Sequence, residues 1–253
     1  MKAIKTILAV CLLSLATAAS AQKTYVHITT QSGIQYDIAS DTITSMTMDT
    51  NAPKGPTTGT AKAKLDGTNE VDVTWVQLWE NGPKWASINV GVTSTSATGT
   101  DLYGGYYCWG KTTSKDSDGK YDDSTSTLGD TNDTATQFWG SNWKMPTSTD
   151  LANLLSTDYT DGGTWVTNYN SVSVNGLLVK GKTGTDYAEN EVFFPAAGYY
   201  YGGIFGRGSG GNYWSSTPDD GYYAFYLSFN SARQSVSRSN KGSGCSVRAV
   251  VAE

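Results

Sequence analysis

Residues 211–251 read GNYWSSTPDDGYYAFYLSFNSARQSVSRSNKGSGCSVRAVV, and the fold turns on how this stretch is read. Apolar, strand-like pieces frame it. Within YYAFYLSFNS, Phe225, Leu227 and Phe229 fall on one side of an extended chain, and Ala224, Tyr226, Ser228 and Asn230 on the other. The first set suits a core. The second, with the Tyr, Ser, Asn, Asp and Arg residues around it, buries little and suits display to solvent. After a further polar loop, residues 246–251 (SVRAVV) form a closing strand.

The composition agrees. The chain holds 28 Gly, 16 Tyr and 8 Trp but only 6 Pro, and long helix-forming blocks are missing. Such a chain builds strands and loops with few, short helices, an α+β class. Tyr, Ser, Gly and Asn are also the residues of antibody binding loops. There Tyr gives contact area at low entropy cost, and the small polar residues adapt their hydrogen bonds.

The first residues read as an export signal. Lys2 and Lys5 give a basic start, residues 7–15 a short apolar core, and Ala19-Ser20-Ala21 a cleavage site. Residues 1–21 are therefore expected to be removed, placing the protein in the periplasm, on the cell surface or outside the cell. Cys11 lacks a small residue before it, because Val10 is there, which argues against lipidation. No other stretch is apolar enough for a membrane span. Lys2 and Lys5 are two of the 18 basic residues, set against 23 acidic ones, so the processed chain would carry a net charge near −7. Nucleic acid is a poor partner for a chain without a basic cluster.

Residues 22–50 read as a small β-hairpin leader, with period-two apolar positions at Val26, Ile28, Ile34, Tyr36 and Ile38 and a further run at 43–48. Its His27 is the only histidine of the chain, which argues against a metal or triad role. NAPKGPTTGTAKAK follows, with little to bury, and residues 51–70 are expected to be a linker before a main domain at 71–253. In that domain residues 114–136 are acidic and aperiodic. Asp116, Asp118, Asp122 and Asp123 could surround a cation, but the terminal Glu of a calcium loop is missing and Asp-Gly is common turn chemistry.

Asn132 or Asp133 can cap a short helix. Thr147 can cap a second, with Asp150 three residues on and Leu151, Leu154 and Leu155 on one face. Asn175-Gly176 signals a tight hairpin between residues 164–174 and 177–182. The glycines from Gly202 to Gly211 precede no helix and no Lys-Ser/Thr pair, so they predict turns, not a phosphate cradle. Cys108 and Cys245 are compatible with a disulfide in an exported protein; spacing does not decide it.

Four pieces recur together in one known family: KWASINVG at 84–91, YYCWG at 106–110, WGSNWKMPTSTDLANLL at 139–155, and FFPAAGYYY…GNYWSST…YLSF…SVRAV between 193 and 250. They resemble the Fibrobacter succinogenes major paralogous domain family, frequent in exported proteins of gut Bacteroidetes. The resemblance implies a C-type-lectin-like domain with two short helices and a mostly antiparallel twisted sheet. It makes Trp85, Trp109, Trp139, Trp143, Pro146, Trp214 and Arg248 scaffold. The last forty residues also resemble the variable region of proteins diversified by retroelements. The Asp, Gly, Tyr, Phe, Ser, Asn, Arg and Cys residues interleaved between 219 and 245, Ser239 among them, match what randomised adenine-rich codons yield. The calcium-binding triplets of true C-type lectins are absent, and the two cysteines do not form the pair used by formylglycine-generating enzymes of the same fold.

These readings converge on an exported, non-enzymatic binding module without cofactor or metal, whose partner is a protein or a glycan at the cell exterior. Its ligand-binding residues are expected to be Trp214, Tyr222, Tyr223, Tyr226, Ser228, Asn230, Arg233, Ser237, Arg238 and Asn240. Two other functions stay open: a fibre subunit docking through its leader hairpin, and a carboxylate-based glycan-active enzyme drawing on Glu80, Glu189 or Glu191, none of which stands in a recognisable catalytic setting.

Overall fold

Short β-prone runs punctuated by glycine become strands in the computed structural model, which describes the strands at 25–29 and 35–39 and residues 56–111, 128–129 and 131–252. The chain divides into two units, residues 1–54 and 55–253. In the first, β1 (Tyr25–Thr29) pairs antiparallel with β2 (Gln35–Ala39), Val26 opposite Ile38 and Ile28 opposite Tyr36. The expected export signal, the third run at 43–48 and most of the acidic segment lie outside the described residues.

The second unit is a mostly antiparallel β domain with two α-helices among its described residues, an α+β architecture. Its largest sheet runs β3-β4-β5-β15-β6: β3 (Thr58–Lys64), β4 (Glu70–Gln77), β5 (Lys84–Ala86), β6 (Trp143–Lys144) and β15 (Val250–Val251). β3 overturns the expectation of a linker through residue 70. TGTAKAK alternates small and polar residues, and the small ones make room for indole rings. Ala63 is fully buried, and a Cβ at Gly59 would lie 2.6 Å from the Trp75 ring. At the sheet's other end, the Trp143 indole N–H donates to Lys62 O (2.9 Å), drawing β6 toward β3.

A second sheet comprises β7 (Thr160–Val166), β8 (Gly176–Gly181) and β9 (Glu191–Pro195). The expected two-residue turn at Asn175-Gly176 does not form. β7 and β8 are joined by residues 167–175, where Asn168, Asn170, Ser171 and Ser173 all adopt positive φ. Gly176 instead lies within β8, because a Cβ there would come 2.2 Å from Phe194 O.

Both helices begin where side-chain acceptors meet unpaired backbone N–H groups. Asp133 accepts from Thr136 N and starts α1 (Thr134–Trp139); its second oxygen accepts from Met145 N (2.9 Å). Thr147 and Asp150 form a reciprocal capping box at the start of α2 (Ser148–Leu155). Leu151 and Leu154 are buried and Leu155 is partly so.

Three apolar clusters of described residues fill the domain, the smallest built from Tyr103, Tyr106, Val174, Phe193 and Ala197; the two larger ones set the layers. One gathers Trp75, Trp109, Trp139, Trp143 and Trp214; the other packs Leu151 and Leu154 of α2 with Trp85, Phe194, Tyr213, Leu227 and Phe229. Arg248, 1 % exposed, ties the layers together. Its guanidinium donates to Asn89 Oδ1 (2.9 Å), Ala86 O (2.8 Å) and Phe193 O (2.8 Å). Burial pulls its pKa down to about 10, so it stays charged at neutral pH. No disulfide joins Cys108 and Cys245. Across the backbone Cys245 pairs with Tyr107, the neighbour of Cys108, and the Cys108 thiol lies 3.2 Å from Gly242 O. Among the described residues no helix is long and apolar enough to cross a membrane.

Candidate ligand-binding face

The quoted C-terminal stretch folds as a three-stranded antiparallel sheet, β12 (Gly210–Pro218), β13 (Tyr223–Asn230) and β14 (Gln234–Asn240). The register places Tyr213, Leu227 and Val236 in one row and Gly211, Phe229 and Gln234 in the next. This side faces α2 and the second core. A Cβ at Gly211 would lie 2.3 Å from the Phe229 ring, so glycine is what lets that ring settle onto the strand.

Opposite residues share a face, so the other side carries the rows Trp214–Tyr226–Ser237 and Asn212–Ser228–Ser235, with Asn230 beside Gly210. This face changes character along its length. At the Pro218 end, Ala224 and Trp214 are fully buried in the first core. Two corrections to the sequence reading follow. Ala224 belongs to the interior, and Trp214 is no ligand anchor, because its indole N–H donates to Tyr107 O (2.7 Å) and no part of the ring reaches solvent. Phe225, expected in the core, is only partly buried.

Toward Gly210 the same face opens into a groove of about 490 Å³ lined by Asn212, Tyr226, Ser228, Asn230, Ser239 and Ser243, together with Gly198, Tyr199, Gly206, Ser209 and Gly210. Tyr226 marks the boundary. Its ring packs edge-on to Trp214 at 5.9 Å, and partial burial raises the pKa of its hydroxyl, which stays a neutral donor. Ser228 Oγ lies 3.3 Å from Asn212 Oδ1. Asn230 Oδ1 accepts from Ala232 N (2.8 Å) and Arg233 N (3.1 Å), which holds the β13–β14 turn and leaves the amide nitrogen to donate elsewhere.

The second wall is made at long range. β10 (Tyr199–Tyr200) and β11 (Ile204–Phe205) form a hairpin closed at Gly202, where φ is +64°. Tyr200 and Gly244 exchange backbone hydrogen bonds (2.7 and 2.8 Å), and Gly198 N donates to Gly210 O (2.8 Å). These bonds set the hairpin against the sheet and fix the walls of the groove.

The expected binding residues thus divide. Tyr226, Ser228 and Asn230 line the groove, and Ser237 continues their face beside Tyr226. Arg233 sits in the adjoining turn, close enough to act on the Tyr226 hydroxyl. Tyr223, Arg238 and Asn240 lie on the opposite face. There Arg238 pairs with Asp219 (2.9 Å), which raises its pKa, and lies 5.6 Å above the Tyr223 ring. Tyr222, 56 % exposed, occupies the β12–β13 turn.

Sequence reasoning missed Asn212, Tyr199, Ser209 and Ser243. The spacing of two from Trp214 carried a signal for Asn212 alone. It also missed Lys241, fully buried, whose ammonium donates to Asp220 O (2.8 Å) and lies 4.5 Å over the Trp109 ring. Burial lowers its pKa, and its role is to hold the turn bearing Tyr222 against the core.

The carboxylates considered for catalysis stand apart from the groove lining. Glu191 Oε1 accepts from Tyr169 (2.8 Å), and Oε2 lies 3.4 Å from Lys180. Glu80 and Glu189 are exposed. The Asp116–Asp123 segment lies outside the described residues, and among the described residues no three potential metal ligands come together.

A family described as a domain of unknown function (DUF8237) matches residues 183–250, a span that contains β9 to β14 and every residue of the groove. No curated protein and no solved structure matches the chain.

Proposed function

We propose that this chain is an exported, non-enzymatic binding module of C-type-lectin-like fold, and that the open half of the β12–β13–β14 sheet is its recognition face. One observation carries the reading. A single sheet turns one side into the core through Tyr213, Leu227 and Phe229, while Asn212, Ser228 and Asn230 on its other side line a concave, solvent-open groove. Rigid backing and adaptable polar groups are what a binding surface needs, since preorganisation reduces the entropy lost on association.

The buried Trp85, Trp109, Trp139, Trp143 and Arg248 support the proposed relation to the Fibrobacter succinogenes major paralogous domain family, whose scaffold residues they would be. Diversification by a retroelement would then act on exposed positions such as Tyr222, Arg233 and Ser237 while sparing the tryptophans. The test is a set of alanine variants at Tyr226, Ser228, Asn230 and Ser237 assayed against exterior proteins and glycans. Loss of binding with an unchanged circular dichroism spectrum supports the reading. Unchanged binding to every ligand rejects it.

A further inference from the structure

We infer that the groove takes an uncharged, hydroxyl-rich carbohydrate, held edge-on by Asn212, Ser228 and Asn230 and flanked by the exposed aromatic hairpin Tyr199–Phe205. This inference rests on the proposed recognition face and adds the chemistry of its ligand.

The first support is charge. No described residue lining the groove is charged. An anionic ligand would lose its hydration without finding a cation in the lining, since Arg233 is an exposed residue of the adjoining turn, and a cationic one without finding a carboxylate. Arg207, next to Gly206 of the wall, is engaged elsewhere, donating to Tyr106 Oη (2.9 and 3.1 Å) and lying over the Tyr103 ring.

Hydrogen-bonding capacity is the second. Hydroxyls and primary amides dominate the lining, and each can both donate and accept. The oxygens of Asn212 and Asn230 are engaged within the protein, which leaves their amide nitrogens to donate to a ligand. Ser239 and Ser243, whose hydroxyls lie 3.3 Å apart, offer acceptors from another part of the wall. A row of sugar hydroxyls meets such a set with donors and acceptors of its own.

Third is the exposed ring surface. Tyr199 stacks on Phe205 (5.6 Å between centroids, 26° between planes), and the two remain 36 % and 50 % exposed, with Ile204 at 42 % and Tyr201 at 59 % beside them. This is an apolar patch that the core does not use. A pyranose presents a C–H face that suits the electron-rich face of an aromatic ring, and an edge of hydroxyls that suits the groove. The groove's volume of about 490 Å³ is of the size that holds a small ligand and is small for a protein interface.

The experiment uses the full chain. Arrays of neutral and of uronate- or sialate-bearing oligosaccharides and a panel of exterior proteins are probed in parallel, and the best ligand is titrated against Asn212→Ala, Tyr199→Ala and, as a control at an exposed β3 residue outside the groove lining, Lys64→Ala. The expected result is capture of neutral oligosaccharides, with the dissociation constant raised roughly tenfold or more by Asn212→Ala and by Tyr199→Ala and unchanged by Lys64→Ala. Capture of acidic glycans alone, or of no glycan, overturns the inference. So does glycan capture indifferent to both groove variants. If proteins are bound instead, and Ser228→Ala or Asn230→Ala weakens that binding, the ligand class falls while the recognition face stands. If no groove variant alters any binding, both fall.

Discussion

Trp214 and Tyr226 sit opposite each other on neighbouring strands, rings edge-to-face at 5.9 Å, and the line between interior and surface passes between them. Trp214 is fully buried and bonded to Tyr107 O. Tyr226, in the same row, lines the groove. The scaffold therefore ends within one cross-strand pair of the recognition face, and substitutions on the two sides of that line should behave differently.

Trp214→Ala should cost about 3–5 kcal/mol, the range for truncating a large aromatic residue in a core, and it also removes the indole donor to Tyr107 O, which keeps its backbone bond from Cys245 N. Tyr222→Ala, at an exposed turn, should stay within about 0.5 kcal/mol of the parent. Urea unfolding of both variants checks this. Equal losses would contradict the placement of the boundary.

Arg248→Met keeps much of the side-chain volume but removes every donor from Asn89 Oδ1, Ala86 O and Phe193 O. With three buried acceptors left unpaired, the expected loss is about 3 kcal/mol or more. Chemical denaturation reads it. A variant as stable as the parent would show that the arginine does not tie β5 and β9 to the closing strand.

Much of this was legible in the sequence because it is local. Thr147 with Asp150, and Asp133 ahead of α1, are caps set by residues three apart, and both form as read. The period-two pattern of β13 gave Leu227 and Phe229 correctly. What failed depends on distant partners. β3 is a strand because Gly59 and Ala63 accommodate the indoles above them, which composition alone reads as a linker. Asn175-Gly176 carries hairpin chemistry, yet Gly176 is needed against Phe194 O inside a strand. Trp214 looked like an anchor because aromatic residues serve binding and packing alike. The groove's second wall exists only through bonds such as Tyr200 to Gly244, across more than forty residues of chain, and no local pattern announces them.

Asp66 and Asp220, in turns, and Asp161, in β7, are exposed residues whose carboxylates accept N–H or O–H groups, which holds each pKa below the usual carboxylate range. Depressed folded-state values mean that the unfolded chain protonates first. Their stabilisation is present above an unfolded pKa of about 3.9 and is lost as pH falls below it, through the folded values. Asp133 acts in the opposite sense, since burial raises its pKa. Asp220→Asn retains Oδ1, the acceptor for Tyr222 N and Tyr223 N, but not the charge. The variant should therefore show a smaller drop in urea midpoint between pH 6 and pH 3 than the parent. An unchanged slope would contradict this assignment.

Cys108 and Cys245 are both fully buried, and burial, with Cys108 nearby, pushes the Cys245 thiol well above its ordinary pKa. Thiolate, not thiol, is the nucleophile. Neither residue should be alkylated by iodoacetamide in the native protein, and both should react in denaturant, as peptide mass spectrometry can read. Native labelling at Cys245 would place it outside the core.

The most direct measurement is binding by the combined variant Tyr226→Ala, Ser228→Ala, Asn230→Ala and Ser237→Ala, with unfolding followed on the same sample. The account predicts a folded domain, its tryptophan core untouched, whose affinity for the ligand captured by the parent falls at least a hundredfold, more than about 2.7 kcal/mol. A folded variant that binds as tightly as the parent would contradict it.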